Sequence, residues 1–193
     1  MNTTQTLGVQ KRGSSVLVFS TAIGIIVALL ALLEWTMTQR AAPPLAAGLA
    51  PAFEITSFDG QTFRLADLRG KPVILNFWAS WCLQCREETP YLEQVWQKYR
   101  SQGLVLLGVD YVDTEPEAKA FLAEFGATFP AAPDVGTHIA RAYRITGVPE
   151  TYFITREGKL LAGTDAAQRP NGNFIGPIPS TVLFERAAKL MAP

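Results

Sequence analysis

The sequence contains only two cysteines and one histidine among its 193 residues. Two cysteines allow one intrachain disulfide at most, which excludes the disulfide-rich scaffolds of small secreted proteins. A structural zinc site needs about four ligands, and the cysteines together with His138 supply three. We therefore expect neither a bound metal nor a cofactor.

The sequence also lacks an excess of charge of either sign. Its 17 Lys and Arg residues balance 17 Asp and Glu residues, so the formal net charge is zero. Proteins that bind nucleic acid need basic residues to neutralise phosphates, and no such excess exists here. Hydrophobic residues make up 48% of the chain, which is enough for a globular core. The length favours one domain plus accessory segments.

One long stretch without charge lies near the N-terminus, from Val16 to Leu33. As a helix it would measure about 27 Å, close to the thickness of a bilayer core. Lys11 and Arg12 precede it, so the positive-inside rule predicts a cytoplasmic N-terminus and an extracytoplasmic remainder. A cleavable signal peptide is the alternative, but the run exceeds the usual length of about 7–15 residues. We expect a single-pass anchor in the cytoplasmic membrane.

Changes in composition divide the chain into four predicted segments. The segments are a cytoplasmic N-terminus (1–15), a transmembrane anchor (16–36), a linker (37–51) and a globular domain (52–193). The linker is rich in Ala and Pro, which is typical of a tether.

Apolar patterns in the globular segment predict an α/β domain. Asp59-Gly60 favours a hairpin, and two continuous apolar runs, 73–78 and 104–109, are typical of buried parallel strands. A second hairpin is predicted from 151–155 and 159–162, followed by a long loop over 163–179. Helices are predicted from near residue 82 with a kink at Pro90, over 114–125 and 134–143, and from near residue 180. Together these elements predict a mixed sheet covered by helices on both faces.

Both cysteines lie in the segment Trp81-Cys82-Leu83-Gln84-Cys85, directly after the first buried strand. Two thiols separated by two residues at a strand-to-helix junction can close a disulfide and open it again. A static disulfide is the alternative, but so small a loop would remove little entropy from the unfolded chain. The start of a helix also favours the thiolate, which is the reactive form of cysteine. The segment therefore predicts redox chemistry.

The globular segment resembles thioredoxin-like proteins, specifically the membrane-tethered TlpA/ResA/CcmG (DsbE) group. The resemblance lies in four places: the segment 76–82, Pro90 five residues after Cys85, the segment Gly147-Val148-Pro149-Glu150-Thr151, and the hairpin region 53–68. It implies a thioredoxin-like mixed sheet flanked by helices, with an added N-terminal β-hairpin and one N-terminal transmembrane helix. Two departures matter. Gln84 stands where the group usually has Pro, and Asn76 stands where thioredoxin has an Asp that helps to move protons.

The resemblance implies roles for seven residues. Cys82 would attack a substrate disulfide and Cys85 would resolve the mixed disulfide. Glu88, which shares a helix face with Cys85, is predicted to accept its proton in place of the missing strand carboxylate; a solvated carboxylate, as expected for Glu87, is the alternative. Pro149 is predicted to be cis, which would let Val148 offer its backbone to an extended substrate.

Trp81 is predicted to shield the cysteines and to contact substrate, whereas Trp78 is predicted to be core. Glu150 is predicted either to add charge selectivity beside the site or to lie exposed. His138 is predicted to be an ordinary surface residue.

By resemblance, the protein would be a protein-disulfide oxidoreductase that reduces apocytochrome c during cytochrome c maturation. A membrane electron donor of the DsbD/CcdA kind would recharge it. One alternative is a thiol peroxidase of the AhpC/TSA type, although such sites usually carry Thr where this chain has Ala79. The other is a metal-carrying protein in which the cysteine pair and His138 hold copper.

Overall fold

The computed structural model describes residues 13–40, 48–161 and 173–192; for 13–18 and 36–40 it describes the backbone alone. The chain divides into two compact units, Met1–Pro43 and Pro44–Pro193. The predicted segment boundaries are not tested by this division and stay predictions.

The described residues of the first unit form one helix, α1 (Gly13–Arg40). Its described side chains are exposed, and they include many large apolar residues between Phe19 and Trp35. Within the described part of the chain, no helix combines the length and apolar character that crossing a bilayer requires. The anchor therefore stays a prediction.

The described strands of the second unit are β1 (Glu54–Thr56), β2 (Thr62–Arg64), β3 (Val73–Trp78), β4 (Val105–Asp110), β5 (Ala131–Pro133), β6 (Glu150–Ile154) and β7 (Phe174–Ile175). Five of them form a mixed sheet with the strand order β5-β4-β3-β6-β7. Strand β3 is parallel to β4 and antiparallel to β6; β5 is parallel to β4, and β7 is antiparallel to β6. The helices are α2 (Leu83–Tyr99), α3 (Glu115–Glu124), α4 (His138–Tyr143) and α5 (Ser180–Met191).

The central strand β3 is buried along its whole length, as its continuous apolar run predicts. Its alternate side chains enter two different cores, since successive residues of a strand point to opposite faces. Val73, Leu75 and Phe77 pack against the β1–β2 hairpin and α4. Ile74 packs against apolar side chains of α2 and α5. The prediction of a mixed sheet covered on both faces is confirmed.

Several local predictions are also confirmed. The hairpin β1–β2 forms around Asp59-Gly60. Helix α3 forms within the predicted range 114–125, and Thr114 caps it by accepting a hydrogen bond from the Glu117 amide. Pro90 lies inside α2, as predicted, and the kink expected there stays a prediction.

The strands in the second half of the domain need three corrections. Residues 159–161, the described part of the predicted strand 159–162, do not form a strand, although they turn back onto β6. Leu160 makes an isolated antiparallel bridge to Ile154, and the Leu161 amide donates to the Phe153 carbonyl at 2.8 Å. The partner of β6 at the sheet edge is instead β7, which lies within the predicted loop 163–179; residues 162–172 are outside the described part of the chain. Strand β5, with the sequence Ala-Ala-Pro, was not predicted because these residues do not favour strands.

Helix α4 begins at His138 rather than at Asp134. The Asp134 carboxylate lies before the helix and accepts the backbone N–H groups of Ile139 and Ala140. The carboxylate thereby satisfies two of the backbone N–H groups that a helix start leaves without a partner. The helix itself begins about one turn later than predicted.

Candidate active site at the cysteine pair

The two cysteines form a disulfide at the junction between β3 and α2. Cys82 is the N-cap residue of α2, and its sulfur accepts a hydrogen bond of 3.1 Å from the Cys85 amide. Cys85 lies in the first turn and is fully buried, whereas Cys82 retains 6% exposure. The free amide groups and dipole of the helix start favour negative charge on the Cys82 sulfur. Cys82 is thus the more accessible of the two cysteines, as its predicted role as the attacking thiol requires, and the fully buried Cys85 suits the predicted role of the resolving thiol.

Glu88 lies on α2 three residues after Cys85 and is buried, with 1% exposure. Its Oε1 accepts a hydrogen bond of 2.7 Å from Asn76, and its Oε2 accepts one of 3.0 Å from the Ile178 amide. Burial raises the pKa of Glu88 to about 7, although these two hydrogen bonds act in the opposite direction. The alternative of a solvated carboxylate is wrong for Glu88 and right for the exposed Glu87.

Asn76 links Glu88 to the sheet. Its side-chain amide also donates to the Thr151 hydroxyl at 2.9 Å, so it connects α2, β3 and β6 beneath the disulfide motif. The strand carboxylate of thioredoxin is therefore replaced here by an amide that holds a helix carboxylate. A buried carboxylate with a pKa near neutrality is suited to accept and return a proton.

The peptide bond between Val148 and Pro149 is cis, as the resemblance predicts. Val148 is half-buried and packs against the cluster that contains Cys82, Cys85 and Trp78. The loop before β6 is thus placed beside the disulfide, where its backbone can face an incoming chain.

The structure corrects the prediction for Glu150. This side chain is fully buried, so it neither lies exposed nor contacts a substrate at the surface. Its Oε1 accepts a hydrogen bond of 2.7 Å from Tyr152 and another from Asn173, and its Oε2 accepts the Thr146 amide at 3.0 Å. Glu150 instead holds the residues that precede the cis bond.

Trp78 lies in the core, as predicted, whereas the role predicted for Trp81 in shielding the cysteines and contacting substrate stays a prediction. Trp78 is buried and stacks on Phe121 at 4.7 Å between ring centroids. Trp81 is 60% exposed beside the cysteines, and its indole N–H donates to the Val112 carbonyl at 3.1 Å. An exposed aromatic ring beside the disulfide is available for substrate contact.

His138 is exposed at the start of α4. Across the part of the chain that the structure describes, His, Cys, Asp and Glu side chains do not gather in threes or more that could hold a metal ion.

Sequence reasoning missed Asp110, the last residue of β4, which lies in register with Trp78 at the end of β3. Its side chain is buried, and burial, together with the nearby charge of Asp113, raises the pKa of Asp110 to about 7. The sequence did contain a signal for this residue, because Asp110 directly follows the apolar run 104–109. Parallel strands β3 and β4 end at the same edge of the sheet, so an acidic residue at the end of β4 lies near the end of β3, which leads into the cysteine motif.

Comparison of the sequence with protein families finds a match to the AhpC/TSA family over residues 47–162. The thiol-disulfide oxidoreductase ResA of Bacillus cereus is 37% identical over 112 residues, covering 58% of this chain and 65% of ResA. ResA of Geobacillus thermodenitrificans is 36% identical over 118 residues, covering 60% and 68% of the two chains. The chain thus spans less than two thirds of the length of the Bacillus cereus relative and slightly more than two thirds of the Geobacillus relative.

Solved structures show the same fold. A thiol:disulfide interchange protein of the thioredoxin family from Chlorobium tepidum has a TM-score of 0.65 and 26% identity, covering 78% of this chain and 100% of that one. The thioredoxin domain of a thiol-disulfide oxidoreductase from Bacteroides vulgatus has a TM-score of 0.63 and 25% identity, covering 77% and 99%. The predicted thioredoxin-like fold and the resemblance to the TlpA/ResA/CcmG group are confirmed.

Proposed function

Because this chain belongs to the AhpC/TSA family and is similar to ResA proteins, we propose that it is a protein thiol–disulfide oxidoreductase. One observation carries the proposal: Cys82 and Cys85 form a disulfide at the start of α2, and Val148 of the cis Val148–Pro149 bond packs against the cluster that contains both cysteines. A disulfide placed at a helix start beside a substrate-facing loop is suited to exchange rather than to structural support.

In the proposed reaction the reduced protein transfers two electrons to a substrate disulfide. The Cys82 thiolate attacks one substrate sulfur, breaking the substrate S–S bond and releasing the other sulfur as a thiolate that takes up a proton. Cys85 then loses its proton to Glu88 and attacks the Cys82 sulfur. This second exchange releases the remaining substrate thiolate, which is also protonated, and leaves Cys82–Cys85 oxidised.

The proposal extends to the direction of transfer and the partners. The protein acts as a reductant, its substrate is the disulfide of an apocytochrome c haem-attachment site, and a membrane donor of the DsbD/CcdA kind reduces Cys82–Cys85 again. Support for this extension comes from the resemblance of the segments 76–82 and 147–151 to the TlpA/ResA/CcmG group.

The proposed location is the outer side of the cytoplasmic membrane. Support comes from the uncharged run Val16–Leu33 and from the basic pair Lys11-Arg12 before it. The helix α1 would then be a signal anchor, and the catalytic domain would lie in the periplasm or its equivalent.

A thiol peroxidase is the second candidate, because the family match carries the AhpC/TSA description. The residue three positions before Cys82 is Ala79, which is fully buried and has no hydroxyl group to position a peroxide. We expect peroxide consumption by the reduced protein to be slow compared with its reduction of insulin disulfides. If the reduced protein consumes peroxide rapidly but leaves the insulin disulfides unreduced, the result favours the peroxidase instead.

The equilibrium potential of the Cys82/Cys85 couple against glutathione tests the direction of transfer. A value near about −270 mV, as in thioredoxin, supports a reductant. A value near about −120 mV, as in a strong oxidant, contradicts that direction. A Cys82→Ser variant serves as the control, since it cannot form the couple.

A further inference from the structure

Beside the cysteine motif lies an acidic side chain that the proposed exchange reaction does not use. Asp110 closes β4 and is 2% exposed. Its Oδ1 is buried and has no hydrogen-bond partner. A buried carboxylate oxygen without a partner is costly in a folded protein, because it has lost its hydration without replacement.

Asp110 borders a cleft of about 370 Å³ at the carboxyl ends of β4 and β5. Two further carboxylates line this cleft, but both are already engaged. Asp113 accepts the backbone N–H groups of Ser80 and Thr114, at 2.6 and 3.0 Å. Asp134 accepts the two amides at the start of α4. Among the described residues that line the cleft, none is Lys, Arg or His.

The wall of the cleft is attached to the cysteine motif by two hydrogen bonds. The Ser80 amide donates to Asp113, and the Trp81 indole donates to the Val112 carbonyl. Trp81 is followed directly by Cys82, so these two hydrogen bonds join the wall of the cleft to the residues that precede the attacking cysteine. The rim of the cleft carries two exposed apolar side chains, Val112 and Val135, with exposures of 60% and 80%. Such a rim fits the aliphatic stem of a long basic side chain.

We propose that this cleft binds a lysine or arginine side chain of the protein substrate, whose cationic group pairs with Asp110. The inference rests on the proposed exchange function and names the class of substrate segment that it prefers. The cation supplies the hydrogen bond that Oδ1 lacks, and it offsets the repulsion between Asp110 and Asp113. Burial and that repulsion also raise the pKa of Asp110, which is consistent with a carboxylate that lacks its counter-charge.

Synthetic peptides test this assignment. Each peptide has one internal disulfide and carries lysine, arginine or norleucine at one of three positions on either side of it. The full-length reduced protein in detergent is mixed with each peptide, and the second-order rate constant of peptide reduction is measured. We expect the basic peptides to react about tenfold faster than the norleucine peptide at one of these positions.

Two variants show whether Asp110 is responsible. In Asp110→Asn the ratio of the basic to the norleucine rate should fall to about one. The matched control is Glu115→Gln, which changes the net charge equally at an exposed residue of α3 that pairs with Lys119 outside the cleft. This control should keep the tenfold ratio.

The outcomes separate the two proposals. Equal rates for basic and norleucine peptides in the unmodified protein, or a preference that survives Asp110→Asn, overturn the cleft assignment alone. Failure to reduce any peptide overturns the proposed function and the assignment with it. Should Asp110→Asn fail to fold, the Asp110 carboxyl ¹³C resonance of the unmodified protein decides. It should shift with a cysteine-free lysine peptide and not with its norleucine counterpart, and equal response to both contradicts the assignment.

Discussion

Glu88 is the residue that couples proton transfer to disulfide exchange in this account. It lies on the helix face that carries Cys85, and its carboxylate is buried and held by Asn76 and the Ile178 amide. Because burial raises the pKa of Glu88 to about 7, the group can accept a proton at neutral pH and release it again.

Glu88→Gln should slow the attack of Cys85 on the mixed disulfide by about a hundredfold at neutral pH, the lower end of general-base contributions. In the unmodified protein this rate should rise with pH around 7, as Glu88 ionises, and the variant should lose that step. Stopped-flow measurement of mixed-disulfide resolution from pH 5 to 9 checks both. The control is Glu87→Gln, which changes an exposed neighbour. Identical pH profiles for Glu88→Gln and the unmodified protein contradict the role.

At single residues, the sequence predicts features that depend on a local pattern, but it does not predict which acidic side chains are buried. The cysteine spacing and the segment around Pro149 are local patterns, and they located the disulfide and the cis bond. Glu150 and Asp110 are acidic residues at strand ends, and nothing in their neighbours along the chain shows that both are enclosed. Their burial depends on Tyr152, Asn173 and the ends of neighbouring strands, which only the folded chain brings together.

At the scale of elements, long apolar patterns predicted β3, β4 and the helices correctly. The short strands at the edges of the sheet were not predicted. Strand β5 is three residues of Ala and Pro that join the edge of the sheet through pairing with β4. Strand β7 is two residues long and pairs with β6 across a long connection. Short edge strands of this kind are specified by their partners rather than by their own composition. The segment 159–162 contains two leucines, yet its described residues make only isolated bridges, Lys159 to Leu49 and Leu160 to Ile154.

The loop before β6 depends on Glu150, which accepts hydrogen bonds from Tyr152, Asn173 and the Thr146 amide. In Glu150→Gln an NH₂ group replaces one carboxylate oxygen. This NH₂ group cannot accept a hydrogen bond, so at least one of these three donors loses its acceptor. We expect the free energy of unfolding to fall by about 2 kcal/mol, and KM for a protein disulfide to rise because Val148 loses its support. Denaturant unfolding and insulin reduction measure these effects.

The control for this prediction is Glu185→Gln on α5, where the side chain is exposed. It should change neither quantity measurably. A Glu150→Gln protein as stable as the unmodified chain would show that the buried carboxylate does not support the loop.

At the scale of the whole molecule, two buried carboxylates make stability depend on pH. The pKa values of Glu88 and Asp110 are raised to about 7 from ordinary values of 4.5 and 3.8. Below these ordinary values both groups are protonated in the folded and unfolded states. As pH rises, the unfolded chain releases its protons first. The free energy of unfolding should therefore fall between about pH 4 and pH 7.

Glu88→Gln should remove part of this fall. The free energy of unfolding of the variant, relative to the unmodified protein, should increase by about 3 kcal/mol between pH 4 and pH 8. Any constant effect of the substitution cancels in this comparison. Asp110→Asn should act in the same direction. Denaturant unfolding at several pH values measures the change, and a difference that does not vary with pH contradicts the raised pKa of the buried Glu88. Glu87→Gln is again the control.

The central claim is that Cys82 exchanges disulfides with another protein and that Cys85 releases it. Trapping tests this claim most directly. In a Cys85→Ser variant expressed at natural levels, Cys82 should remain joined to its substrate, and mass spectrometry should identify peptides linked through Cys82 to a cysteine of another protein. A Cys82→Ser, Cys85→Ser double variant should capture none of them. If the single variant captures no more than the double variant, Cys82 does not exchange with a protein partner, and the account is wrong.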